Sequence, residues 1–263
     1  MEIEEAGPDP VAIAAAVHAR LGEAAGAVPI EAIARALGIV DIRYERTSFE
    51  GALVFDDHRD KGAIVINAAS DARRQRFTLA HELGHFLSLH HQPNADGRFA
   101  CSAGDLRQSW SREPPAANQH LRQEIEANRF AAELLAPPRR MAAVFSGEPD
   151  LAHVLAISAE LLLSREAAAR RYVLMHPRPV AILFALDNRL RYLERATAFP
   201  FIPLQRGDVL PSLAPRGERA LSQSLACDPR LWLARPDGRD LRMQTLHQQD
   251  GYSMTLLALA PAS

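Results

Sequence analysis

The segment that constrains this chain most is DARRQRFTLAHELGHFLSLHH, residues 71 to 91. At its centre His81-Glu82-Leu83-Gly84-His85 spells HExxH. On an α-helix, positions i and i+4 lie one turn apart on the same face. Two imidazoles at that spacing can grip one metal ion, and Glu82 between them can act as general base on an attacking water. The flanking residues predict a helix. Asp71 suits an N-cap, and Phe77, Ala80, Leu83, Gly84 and Leu87 recur at three- and four-residue spacing as a buried stripe. Gly84 lowers helix propensity but lets another backbone approach closely. Ordinary amphipathic helices also carry histidines one turn apart, so the pentapeptide needs a partner to define a metal site.

The partner is sought in QHLRQEIEANRFAAELLA, residues 119 to 136. A catalytic zinc site takes three protein ligands and keeps one position open. Glu124 and Glu126 compete for the third place. Ala127, Phe130, Ala131 and Leu134 define the apolar stripe of this second helix. At about 100° per residue, Glu124 falls roughly 60° from Ala127 on the side shared with Ala131, and Glu126 roughly 100° away on the other side, near Glu133. Glu124 therefore points nearer the core, where a metal would justify its burial. Glu126 and Glu133 read as a solvated flank. Asn128, one turn after Glu124, suits a polar partner that orients a ligating side chain.

Upstream, residues 8 to 25 and the stretch opened by Pro29-Ile30-Glu31 predict two helices, the second stopped at Gly38. Residues 40 to 44, 51 to 55 and 63 to 67 predict strands of a small antiparallel sheet, with residues 56 to 62 as a hairpin turn. A sheet edge beside the metal helix would let an extended peptide add as a further strand. Residues 92 to 118 read as a long loop rich in Pro, Gly, Ser and Asn. Phe99, Arg98, Arg107, Trp110 and Arg112 are its candidates for lining a cleft. Cys101 is a candidate switch ligand, against the simpler reading of an incidental cysteine near a motif.

Composition narrows the class. A chain of 263 residues suits two or three domains, and 48% apolar residues are enough for sizeable cores. A net charge of −2 gives no global electrostatic case for nucleic-acid or membrane binding. Two cysteines make neither a disulfide framework nor a metal cluster. The acidic start MEIEEAGPDP lacks the apolar core of a signal peptide, and no run reaches membrane-spanning length. The expectation is a reduced, cytoplasmic protein without a membrane partner.

Two blocks then carry a resemblance. RFTLAHELGH at residues 76 to 85 and EIEANRFAAELLAP at residues 124 to 137 look like the ImmA/IrrE family of metallopeptidases. Ala136 stands where the family usually has Met. The resemblance covers residues 28 to 140. It implies a gluzincin-like site with His81, His85 and Glu124 on the metal, zinc or alternatively manganese, and Glu82 as catalytic base. It also implies a substrate, since family members typically cut a helix-turn-helix repressor and so relieve repression of a stress or DNA-damage response.

Beyond Pro138 the pattern weakens. Residues 148 to 176 predict short helices, and S-x-x-A-x-x-x-R from Ser164 resembles a helix-turn-helix. Leu162 replaces the usual turn glycine, and Arg165, Arg170, Arg171 and Arg178 give a modest basic face for DNA. Residues 178 to 263 read as a mixed domain. Residues 217 to 225 are expected as helix, and 180 to 185, 190 to 193, 231 to 234, 241 to 246 and 252 to 260 as strands. The family resemblance implies a GAF-like sensor here. No cofactor-binding constellation stands out, and Trp232, Cys227 and His247 read as core or surface.

The expected fold class is α+β: a zincin-like peptidase domain over 1–140, a helical segment over 141–177 and a mixed α/β domain over 178–263. The expected function is repressor cleavage by a metal-dependent endopeptidase. The second reading is a DNA-binding or stress-sensing regulator with a vestigial peptidase site.

Overall fold

The structure is a computed structural model and describes residues 6–21, 26–94, 97–107, 118–142, 145, 147–213, 220–236 and 238–260. Contacts divide the chain into two compact units, Met1–Pro138 with Glu160–Ser164, and Arg139–Ala159 with Arg165–Ser263. The fold is mixed α+β, with seven α-helices and two sheets among the described residues.

In the first unit, helices α1 (Pro10–Leu21) and α2 (Ile30–Ala36) lead into β1 (Ile39–Glu45), β2 (Gly51–Phe55) and β3 (Gly62–Asn67). Helix α3 (Ala72–Leu87) carries the HExxH residues, β4 (Phe99–Cys101) follows, and α4 (Gln119–Leu135) closes the unit. Asp71 caps α3, accepting from the amides of Arg73 (3.0 Å) and Arg74 (3.1 Å). Those amides have no partner within the helix, so the cap fixes its start. Asn118 does the same for α4 through Leu121 N at 2.9 Å.

The sheet runs β1-β3-β2-β4. It is mixed, which corrects the antiparallel expectation. β2 pairs antiparallel with β3 and β4, but β1 lies parallel to β3, Ile42 opposite Ile64. The β2–β3 hairpin places β3 between β1 and β2, and the connection through residues 46 to 50 brings β1 alongside in the same direction as β3. Alternation along β3 buries Ile64 and Ile66 on one face. Strand β4 is the second departure: it lies inside the stretch expected as loop. Its pairing, Leu53 with Phe99 and Gly51 with Cys101, ties that stretch to the sheet.

Helix α4 packs against α3 at Gly84, where a methyl group would meet Phe130 Cδ1 at 2.9 Å and Ala127 Cα at 3.3 Å. The missing side chain lets the two metal-site helices approach closely. Leu83, Ala127, Phe130 and Leu134 are fully buried around that contact.

In the second unit, α5 (Pro138–Ala142), α6 (Leu151–Glu160) and α7 (Arg165–Met175) precede β5 (Val180–Leu186), β6 (Arg189–Arg195), β7 (Leu225–Cys227), β8 (Leu241–His247) and β9 (Tyr252–Leu259). The sheet is antiparallel throughout, in the order β6-β5-β9-β8-β7. One face closes over Trp232, Phe199, Leu183 and Leu257. Two local expectations fail here. Residues 220 to 225 are not helical, and Leu225 starts β7. Residues 231 to 234 are not a strand: Asp228 caps a 3-10 turn at Pro229–Leu231, and Pro229 offers no ladder amide. Between α6 and α7, Leu162 takes the left-handed conformation with φ 53°, where a glycine would be unstrained. Residues 139–159 and the strands after 178 form one compact unit, although the sequence reading divides them at 177.

Candidate metal centre

One turn of α3 aims both HExxH imidazoles at α4. His81 Nε2 and His85 Nε2 lie 3.1 Å apart. Glu124 reaches them from α4, with Oε2 3.2 Å from His81 Nε2 and Oε1 3.4 Å from His85 Nε2. All three side chains are buried. Ligand atoms about 2.0–2.1 Å from a tetrahedral zinc stand roughly 3.3 Å from one another, which matches this triangle.

Proton positions follow from the outer partners of the rings. His81 Nδ1 lies 3.0 Å from Asn128 Oδ1, and Asn128 Nδ2 donates to the Asp105 carbonyl at 2.7 Å. The Asn128 oxygen therefore faces His81 and must accept, so Nδ1 carries the proton and Nε2 keeps its lone pair. His85 Nδ1 lies 2.9 Å from His91 Nδ1, and His91 Nε2 lies 2.9 Å from Glu126 Oε2. The Glu126 carboxylate accepts a hydrogen bond from His91 Nε2–H, so His91 Nδ1 accepts from His85 Nδ1–H and His85 Nε2 also keeps its lone pair. Two imidazole lone pairs and a carboxylate then point at one spot. Glu124 Oε2 and both Glu82 oxygens are buried without a hydrogen-bond partner. Such a cluster of acceptors is costly unless a cation fills it. The donor set fits a transition metal such as zinc.

Titration follows the same geometry. Burial pushes Glu82 up to about 7. Burial lowers His85 to about 3. Burial opposes the ionisation of Glu124, but the two imidazoles hold it well below the carboxylate range. Burial also works against a charged His81, yet the Glu124 carboxylate raises it. A proton and a metal ion therefore compete for the His81 lone pair.

Glu82 sits beside β2. A methyl group on Gly51 would meet Thr78 Cγ2 at 2.5 Å and Glu82 Oε1 at 2.7 Å, so the glycine makes room for the carboxylate. Cys101, opposite Gly51 in the register, brings its sulfur within 4.8 Å of a Glu82 oxygen and a His81 nitrogen. Burial and the Glu82 charge push its thiol well above the usual range, keeping it protonated.

The other sequence candidates divide. Phe99 stacks on the His85 ring, with centroids 4.4 Å apart. Arg98 is exposed. Trp110, Arg112 and the Arg107 side chain lie outside the described residues. Glu126 is not a solvated flank. Its side chain is 19% exposed and accepts from His90 Nε2 at 2.7 Å as well as from His91. The segment after α3 turns back over α4, and helical periodicity cannot show a partner from a non-helical segment. For the same reason the approach of His90 and His91 to Glu126 leaves no signal in the sequence. In the second unit the expected basic face is committed. Arg165 bonds Gln248, Arg170 pairs with Glu194, Arg178 pairs with Glu148, and Arg171 is buried.

Two residues escaped sequence reasoning. Arg59, in the β2–β3 turn, donates to the carbonyls of His85 (3.1 Å), Ser88 (2.9 Å) and His91. It places a cation at the C-terminal end of α3, where the dipole favours one. Its left-handed backbone, φ 55°, leaves no mark in the sequence. His120, 69% exposed at the start of α4, lies 3.7 Å from Glu124 Oε1 and 3.9 Å from Asp105 Oδ1. Its i, i+4 spacing to Glu124 was the available signal.

Fold and site define a class: an α+β domain whose two central helices build a buried His/Glu cluster able to hold a metal ion. The chain belongs to the Peptidase_M78 family, the IrrE N-terminal-like domain, which matches residues 34–172. Membership points to a metallopeptidase. Among solved structures, a Mycobacterium tuberculosis transcriptional regulator has a similar fold, with TM-score 0.57 and 13% identity over 95% of this chain and 76% of that one. No curated protein matches the chain. Among the described residues, no helix is long and apolar enough to cross a membrane.

Proposed function

We propose that the chain is a zinc-dependent endopeptidase that cuts a helix-turn-helix repressor in the cytoplasm and so derepresses a stress or DNA-damage response. The observation that carries the catalytic part is the acceptor-only cluster: two imidazole lone pairs and Glu124 converging beside the unpartnered Glu82 carboxylate. His81, His85 and Glu124 would hold the metal, and Asn128 orients His81. When bound, the metal polarises the scissile carbonyl and makes water a stronger acid. Glu82 takes the proton from the attacking water and returns it to the leaving amine. His120 is the described donor best placed to meet charge developing on the carbonyl oxygen. The substrate enters extended and pairs with the outer edge of β4, the last strand of the sheet among the described residues.

The repressor as substrate rests on the family resemblance, and a GAF-like sensor role on the antiparallel sheet of the second unit. On α7, Arg165 bonded to Gln248, Arg170 paired with Glu194 and the buried Arg171 favour cleavage over direct DNA reading. The test is incubation of zinc-loaded protein with helix-turn-helix repressors encoded beside it, followed by mass spectrometry. A single-site cut that Glu82→Gln abolishes supports the proposal. Intact repressor with every candidate, from protein that binds zinc, contradicts it.

A further inference from the structure

Resting on the metal reading above, we infer that Glu126 is a positioning residue for His85, acting through His91. Three contacts form a chain: His85 Nδ1 to His91 Nδ1 at 2.9 Å, His91 Nε2 to Glu126 Oε2 at 2.9 Å, and His90 Nε2 to the same oxygen at 2.7 Å. Each neutral imidazole has one proton and one lone pair. The charge on Glu126 fixes the direction of the whole series. It accepts from His91 Nε2, which leaves His91 Nδ1 as acceptor for His85 Nδ1–H, which leaves the His85 Nε2 lone pair facing Glu124. Reversing the series would turn the His91 Nε2 lone pair toward the Glu126 carboxylate and put a proton where the metal is to bind. Both rings are buried, so the His85–His91 hydrogen bond is shielded from water.

His90, His91 and Glu126 also have the composition of a second metal site. Their spacing argues otherwise. The 2.7 and 2.9 Å separations are those of hydrogen bonds, shorter than the 3.1 to 3.4 Å separations among His81, His85 and Glu124. The His91 Nε2 proton is committed to Glu126, so that nitrogen has no lone pair to offer. The role assigned to Glu126 is thus orientation of an existing ligand through an intermediate ring. Outer partners of this kind are worth about 10–100-fold in metal affinity.

The experiment measures zinc affinity of the full chain by competition with a chromophoric chelator, with zinc counted per chain. It compares wild type, Glu126→Ala, His91→Phe and the double variant, after circular dichroism of each. Wild type should bind one zinc. Glu126→Ala should weaken binding about 10–100-fold, and in the His91→Phe background the same change should cost less than about threefold, because its intermediary is gone. Glu126→Gln keeps an acceptor for His91 and should recover most of the affinity, a check that stands even if His91→Phe does not fold. Wild-type affinity in Glu126→Ala, losses that multiply in the double variant, or a second zinc that Glu126→Ala releases would each overturn the inference while leaving the metal site intact. A wild type that binds no zinc would overturn the metal reading itself.

Discussion

Glu82→Gln should separate chemistry from metal binding and should stabilise the metal-free protein in a pH-dependent way. The Glu82 carboxyl is fully buried, both oxygens lack a partner, and burial raises it from 4.5 to about 7. Between those pH values the folded state holds a proton that the unfolded chain has lost, so stability falls as pH rises. At about 1.36 kcal/mol per unit, the full penalty above pH 7 is on the order of 3 kcal/mol. Most of it develops between pH 5 and pH 8, a change on the order of 2–3 kcal/mol. Gln has nothing to titrate, so the stability gap between Glu82→Gln and wild type should widen by that amount, or about 5–10 °C in melting temperature. Glu124 contributes with the opposite sign. It is depressed, so its stabilisation is present above 4.5 and lost as pH falls, and it is common to both proteins. The assay is thermal unfolding of chelator-treated protein at pH 5 and pH 8. A gap that stays constant across this range would refute the reasoning. Zinc-loaded Glu82→Gln should retain its metal and cut no substrate.

Two further substitutions probe the scaffold and the cleft. Gly84→Ala pushes a methyl group into Phe130 and the Ala127 backbone. It should cost about 1–3 kcal/mol in chemical denaturation, and unchanged stability would show that α3 and α4 can separate freely. His120→Ala should lower kcat about 100-fold with KM and zinc affinity near wild type, read by steady-state kinetics on a cleaved repressor. Unchanged kcat would remove His120 from the chemistry.

Much of the site was legible because helical geometry writes itself into spacing. The i, i+4 histidines, the Asp71 cap, the small residue at 84 and the approach of Glu124 to both histidines all follow from one helix facing another. What sequence reading missed depends on non-helical chain. The turn through Leu89 and His91 brings two imidazoles onto Glu126, and the β2–β3 turn sends Arg59 to the end of α3. Strand β4 is three residues long, too short for an alternation pattern to register. The parallel β1–β3 pair depends on which strands become neighbours, which local alternation does not encode. In the second unit, β5 is apolar on both faces and easily read, whereas residues 220 to 225 have no strong period and take their form from pairing with β8.

The most direct measurement is zinc binding by wild type and Glu124→Ala, by equilibrium dialysis and metal analysis. Wild type should hold one zinc per chain. Glu124→Ala removes the only carboxylate of the buried triangle and should retain none after dialysis against a weak chelator. Equal zinc content in the two proteins would contradict the account.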